Sequence, residues 1–174
     1  MQQVYDKAKK IRLAVFDVDG VLTDGSLYLT DGGEEIKAFN SRDGHGMKML
    51  RLSGVELAII SGRRSRCVEL RAQNLGVALL YQGVEHKVEA YEDLLAKCKL
   101  GPDAVAYMGD DVVDLPVMRR CGLAIAVPAA PLIVKQHAAY VTHAHGGHGA
   151  AREVCELIMH AQGTLARQLE PYCG

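Results

Sequence analysis

Asp17-Val18-Asp19-Gly20-Val21-Leu22-Thr23-Asp24 directly follows the apolar run Ile11-Arg12-Leu13-Ala14-Val15-Phe16. A short aliphatic and β-branched run reads as a buried strand. At its end the chain sets two acids one residue apart, then a glycine that permits a sharp turn. Carboxylates at the carboxyl end of a parallel strand stand where open α/β sheets bind ligands. A pair of them suits a hard cation such as magnesium, and one could act as a nucleophile while the other serves as acid or base. Alone, the motif reads first as the polar end of an ordinary strand, so the rest of the chain has to decide.

Downstream, strand-like runs alternate with helix-like segments. Residues 26–40 read as a β-hairpin folded about Asp31-Gly32-Gly33, and its position straight after the acid pair makes it a flap over the candidate site. Arg42 to Leu52 reads as a helix closed by Gly54. Strands are expected at Val55–Ile60, Val77–Tyr81, Val105–Met108, Leu123–Val127 and Tyr140–Thr142. Helices are expected at Ser65–Leu75, Lys87–Cys98, Val113–Cys121, near Pro131 and at Ala150–Gln162, with a flexible polar tail over 163–174. Regular alternation specifies a Rossmann-like, doubly wound parallel sheet with helices on both faces, and right-handed crossovers bring every strand's carboxyl end to one edge.

The chain has 174 residues, 49% hydrophobic and 24% charged, with a net charge of −1. This suits one domain with a real core. No basic field points to nucleic acid, and no apolar span or signal peptide is visible, so neither nucleic acid nor membrane is an expected partner. Five dispersed cysteines without a Cys-x-x-Cys pair favour reduced thiols and a cytoplasmic location.

Further chemistry falls on the same sheet edge. Ser61-Gly62-Arg63 closes the second strand, where a hydroxyl and helix-leading amides can cradle phosphate or merely cap a helix. Lys87 opens a helix, a position disfavoured for a cation unless an anion is near; a solvated lysine is the alternative. Gly109-Asp110-Asp111-Val112-Val113-Asp114 closes the fourth strand, and three acids there repel one another without a cation. Asp110, nearest the strand end, is best placed for a metal. Asp111 could equally be a cap and Asp114 first-turn decoration.

The order of acid pair, hydroxyl, lysine and acid cluster resembles the four motifs of the haloacid dehalogenase superfamily. That resemblance implies Asp17 as nucleophile, Asp19 as general acid and base, and Ser61 and Lys87 holding the phosphoryl oxygens. It further implies Mg²⁺ on the Asp17 side chain, the Asp19 carbonyl and Asp110, supported by Asp111 and Asp114. Phosphoryl transfer is chiefly positioning and charge neutralisation, and those residues supply both. A receiver domain of signalling carries similar groups but puts its acceptor acid on a middle strand. A non-catalytic scaffold is a third class, although all four motifs are intact.

Asp17 through Gly25, Gly33 through Asn40, Arg42-Asp43-Gly44, Gly146 through Gly149 and Ala151 through Cys155 together resemble the 3-deoxy-D-manno-octulosonate 8-phosphate phosphatase family. The likeness covers nearly the whole chain. It implies a capless, Mg²⁺-dependent homotetramer with sites shared between subunits, acting on a sugar-acid phosphate in lipopolysaccharide biosynthesis. The implied sugar contacts are Asp19, Asn40, Ser41, Arg42, Asp43, Gly44, Lys48, Arg63, Arg71 and Lys87; without the family, Lys48 and Arg71 read as surface residues. A substrate carboxylate calls for a guanidinium fork. Arg63 favours this family over the similar nonulosonate 9-phosphate phosphatases, which tend to carry Glu there. His148 departs from relatives that often carry Arg. The run His143-Ala144-His145-Gly146-Gly147-His148 lacks a Cys or acid to complete a metal set, and its glycines predict a mobile loop.

Overall fold

The computed structural model describes residues 1–173. The elements in order are α1 (Gln2–Ala8), β1 (Leu13–Phe16), β2 (Tyr28–Leu29), β3 (Glu35–Ile36), α2 (Ser41–Leu52), β4 (Glu56–Ser61), α3 (Arg66–Leu75), β5 (Leu79–Gln82), α4 (Lys87–Cys98), β6 (Val105–Gly109), α5 (Leu115–Met118), β7 (Leu123–Ala126), α6 (Leu132–His137), β8 (Tyr140–Val141), α7 (Ala150–Ala161) and α8 (Leu165–Cys173). Six strands form one parallel sheet in the order β5-β4-β1-β6-β7-β8. β1 is central, wholly buried, and flanked by β4 and β6. The chain moves outward through β4 and β5, then returns to the other side of β1. The order therefore reverses between β1 and β6, and a crevice opens at their carboxyl ends. This is the doubly wound α/β fold expected from the strand and helix alternation.

Burial explains the element types. β1, β6 and β7 are apolar along their full length because helices cover both faces. Asn40 caps α2, its side chain accepting the amides of Arg42 and Asp43. Gly76, at φ 70°, closes α3. The hairpin is small: only Tyr28 opposite Ile36 and Leu29 opposite Glu35 pair, and the Thr30 hydroxyl accepts the Glu34 amide across the turn.

Three expectations change. The helix expected at Val113–Cys121 is a 3-10 turn over Val112–Asp114 followed by a short α5, because Asp111 and Asp114 bind backbone amides and tighten the first turn. The expected polar tail is helical from Leu165, and Leu165 and Leu169 pack against the core. Residue 174 lies outside the described residues. The third concerns the glycine segment after β8. A Cβ at Gly146 would fall 1.8 Å from the Gly20 carbonyl oxygen, and one at Gly147 would fall 2.6 Å from the Asp24 nitrogen. The Gly147 amide also donates to the Val21 carbonyl. These glycines are a close-packing surface against the turn after β1, not a source of mobility. Among the described residues no helix is long and apolar enough to cross a membrane.

Candidate active site

Four strand ends deliver the chemistry to one cleft of about 640 Å³, whose lining includes Asp17, Asp19, Ser61, Arg63, Lys87 and Asp110. Asp17 is the first residue past β1, and its amide still donates to Met108 on β6. Asp110 is the first residue past β6. Ser61 ends β4 and is buried. Lys87 begins α4 and is buried as well.

The anionic neighbours that Lys87 needs are carboxylates. Its Nζ lies 2.9 Å from Asp17 Oδ2 and 2.7 Å from Asp114 Oδ1. Burial works against the ammonium, yet the two carboxylates outweigh it and hold Lys87 above the ordinary lysine value.

Asp114 is the anchor of the site. Its fully buried carboxylate accepts Lys87 and the Tyr107 hydroxyl at Oδ1, and the Asp110 and Asp111 amides at Oδ2. It is therefore not first-turn decoration. Burial, then the Asp114 and Asp17 charges, push the Tyr107 phenol up, so it remains a neutral donor. Asp111 caps the 3-10 turn through the Val112 amide.

One atom from each of Asp17, Asp110 and Asp114 lies within 4.8 Å of the others. Burial and the Asp114 charge, opposed by Lys87, push Asp17 up to about 6. Burial, then Asp17, Asp114 and Asp111, push Asp110 up to about 7. Three carboxylates facing one ammonium leave negative charge without compensation. Gly20, at φ +85°, permits this crowding: a Cβ there would lie 2.1 Å from Asp110 Oδ2. The donor set is all oxygen and suits a hard divalent cation, so the residues fit Mg²⁺. Among the described residues the histidine run adds no metal cluster; His143 instead meets Glu153, at 3.1 Å.

The remaining expected contacts divide. Arg63 lines the cleft. Asn40, Asp43, Gly44 and Arg71 do not; they meet at the base of the hairpin, around the start of α2. Asn40 donates to the Gly147 carbonyl while capping α2. Asp43 is buried, and its carboxylate accepts the Gly149 and Arg152 amides, capping α7. Arg71 donates to the Asn40 carbonyl and lies over the Phe39 ring. Ser41, Arg42 and Lys48 are carried on α2, outside the cleft lining. Within one chain, therefore, the cleft holds Asp19, Arg63 and Lys87 of the expected sugar contacts.

Two residues of the hairpin that had been given no role of their own meet the cleft residues Asp19 and Arg63. The Lys37 ammonium pairs with Asp19 Oδ1, and lies 3.2 Å from Glu35 Oε1. Glu35 also accepts Arg63 at 3.0 Å. The signal for them was a lysine and a glutamate two apart in an extended segment, hence on one side of it.

Residues 77–154 match the model of the haloacid dehalogenase-like hydrolases. A 3-deoxy-D-manno-octulosonate 8-phosphate phosphatase of Salmonella typhi is 51% identical over 93% of this chain and 86% of its own length; that of Escherichia coli K12 is 50% identical over the same shares. Among solved structures, the Moraxella catarrhalis 3-deoxy-D-manno-octulosonate 8-phosphate phosphatase, in complex with magnesium, phosphate and the sugar acid, superposes with a TM-score of 0.97 at 41% identity, covering 99% of each chain. A cobalt-bound relative from Haemophilus influenzae gives 0.90 at 40% identity, over 94% of this chain and 99% of its own.

Proposed function

The chain belongs to the 3-deoxy-D-manno-octulosonate 8-phosphate phosphatases within the haloacid dehalogenase-like hydrolases, and from that premise we propose that it hydrolyses this eight-carbon sugar-acid phosphate to the free sugar acid and phosphate. The observation that carries the reading is the triad of Asp17, Asp110 and Asp114 beside Lys87 at the switch point of the sheet.

Asp17 is the nucleophile. Its carboxylate oxygen bonds to phosphorus as the bond to the sugar oxygen breaks, and the electron pair leaves with that oxygen. Asp19 donates the proton the oxygen takes up. Asp19 then accepts a proton from water, whose oxygen attacks phosphorus; the bond to Asp17 breaks and its electron pair returns to the carboxylate. Ser61 and Lys87 hold the phosphoryl oxygens, cancelling repulsion between carboxylate and phosphate. Mg²⁺, held by Asp17, the Asp19 carbonyl and Asp110, would neutralise further charge there. Asp114 and Asp111 keep the Asp110 loop in shape.

Arg63 reads the substrate carboxylate at the cleft mouth. Ser41, Arg42, Lys48 and Arg71 reach substrate from a neighbouring copy, since they lie away from this chain's cleft. The assembly proposed is a homotetramer with sites shared between copies. The exposed Leu27, Tyr28, Leu29 and Ile36 of the hairpin support the assembly, because they are apolar on both sides of a two-stranded ribbon. The product is a building block of lipopolysaccharide, and the unpaired cysteines support a reducing, cytoplasmic setting.

Phosphate release from a panel of sugar phosphates with and without Mg²⁺ tests the activity. Preference for the octulosonate ester over a nonulosonate 9-phosphate is expected. Asp17→Asn should abolish turnover while preserving the fold; near-native turnover by that variant would end the aspartyl-phosphate reading. Light scattering on the eluted protein tests the tetramer.

A further inference from the structure

We propose that Lys37 is a positioning residue that aims the Asp19 carboxyl group at the leaving oxygen, so that the hairpin serves the proton transfer as well as covering the site. The inference rests on the role given to Asp19 above.

The hairpin that carries Lys37 is otherwise open to solvent, with Leu29 and Ile36 64% and 57% exposed. The Lys37 side chain is 1% exposed. A lysine is withdrawn from water to that degree only when paired. Its partners are Asp19 Oδ1 and Glu35 Oε1, the latter at 3.2 Å. Glu35 Oε1 meets Arg63 at 3.0 Å, and Arg63 Nε lies 3.9 Å from Asp19 Oδ2. Asp19, Lys37, Glu35 and Arg63 thus close a ring of two carboxylates and two cations. The Cys67 thiol, 3.5 Å from the Glu35 carbonyl, ties the same strand to α3.

Asp17 and Asp19 are held by different parts of the molecule. Asp17 is fixed by the Val18 amide next to it and by Lys87 at the start of α4. Among the described residues the side-chain partners of Asp19 are Lys37 and Arg63, and Lys37 is the direct one. Arg63 is also the group that the substrate carboxylate would engage. Lys37 alone is left to fix the direction of Asp19 throughout turnover. A general acid must sit within hydrogen-bond reach of the oxygen it protonates, and a displacement of about 1 Å can lower the rate about 100-fold.

Leaving groups separate this role from simple support of the hairpin. The proton passes from Asp19 to the ester oxygen as that oxygen parts from phosphorus with its electron pair. A sugar alkoxide needs that proton, whereas a nitrophenolate departs without it. The specificity constant kcat/KM extends only to the departure of the leaving group, so it isolates this step for both substrates. The measurement is the ratio of kcat/KM for octulosonate 8-phosphate to that for p-nitrophenyl phosphate, in wild type, Asp19→Asn, Lys37→Met and Lys37→Arg, with Mg²⁺ saturating.

Asp19→Asn should lower the ratio about 100-fold or more. Lys37→Met should lower it at least about tenfold, and Lys37→Arg should restore most of the loss. Should Lys37→Met fail to fold, Lys37→Gln, which keeps a polar group but cannot reach Asp19, takes its place with the same expectation. A collapsed ratio for Asp19→Asn beside an unchanged ratio for Lys37→Met, or a parallel fall on both substrates, overturns the role of Lys37 alone. An unchanged ratio for Asp19→Asn overturns the acid reading itself, and the role of Lys37 with it.

Discussion

Lys87 Nζ stands 2.9 Å from Asp17 Oδ2, so the nucleophile of the proposed reaction rests against a buried ammonium before substrate arrives. The same ammonium is bonded to Asp114. Replacing it with an apolar group of similar length leaves two carboxylates facing each other. Lys87→Met should lower turnover about 100-fold or more and stability by about 3 kcal/mol. Because a positive neighbour has gone, the rise in melting temperature on adding Mg²⁺ should be larger than in wild type. Calorimetry and steady-state kinetics on one preparation check all three.

On the proposed reading Asp110 serves the cation rather than the fold. Its carboxylate is crowded by Asp17, Asp114 and Asp111, so removing its charge relieves repulsion. Asp110→Asn should melt at the wild-type temperature or slightly above it in the presence of a chelator, and should lose the Mg²⁺-dependent rise. A variant that melts well below wild type without metal, or that keeps the rise, would contradict this.

Asp43 lies outside this chain's cleft and holds the amide groups of Gly149 and Arg152. Asp43→Ala should destabilise the protein by about 1 to 2 kcal/mol, the loss expected for an N-terminal cap. Faster hydrogen exchange at Gly149 and Arg152 is the local signature, and it should exceed any change in α4.

Glu153 supplies a pH dependence. Burial alone would raise it, but the Tyr140 hydroxyl and the Ala144 and His143 amides outweigh burial and hold it below the ordinary glutamate range. A carboxylate depressed on folding stabilises above its unfolded value, about 4.3, and loses that contribution as pH falls through the folded value. Glu153→Gln should therefore melt about 4 °C below wild type at pH 7, and the gap should narrow below about pH 4.

Gly146 packs against the Gly20 carbonyl with no room for a methyl group. Gly146→Ala must push back the turn that carries Asp19. A fall in both kcat and melting temperature is expected. Gly101→Ala, where a Cβ meets nothing within 4 Å, should change stability by no more than about 0.5 kcal/mol.

The sheet and the edge that bears its chemistry were legible because buried strands leave continuous apolar runs and their ends leave acids, a hydroxyl and a lysine. Asp17, Ser61, Lys87 and Asp110 meet as the spacing led one to expect. Asp43 and Arg71 were expected as sugar contacts only through the family resemblance. Within one chain their carboxylate and guanidinium meet backbone groups of α7 and of Asn40, partners up to 109 residues away in sequence. No local pattern encodes such a pairing. The Gly146-Gly147 pair misled for a related reason: glycine marks both a supple segment and a tight contact, and only the neighbouring turn tells them apart. The helix at 165–173 was missed because its apolar positions, Leu165 and Leu169, are few and set among polar residues.

The seating of Gly146 and Gly147 against Gly20 and Asp24 has a consequence for how the protein is made. The turn that carries Asp19 is made before the glycines that buttress it. A nascent chain stalled before residue 146 can pair β1 with β4 and β6, yet it lacks the surface that shapes the turn. The shape of that turn therefore waits for the segment about Gly146, however early the sheet assembles.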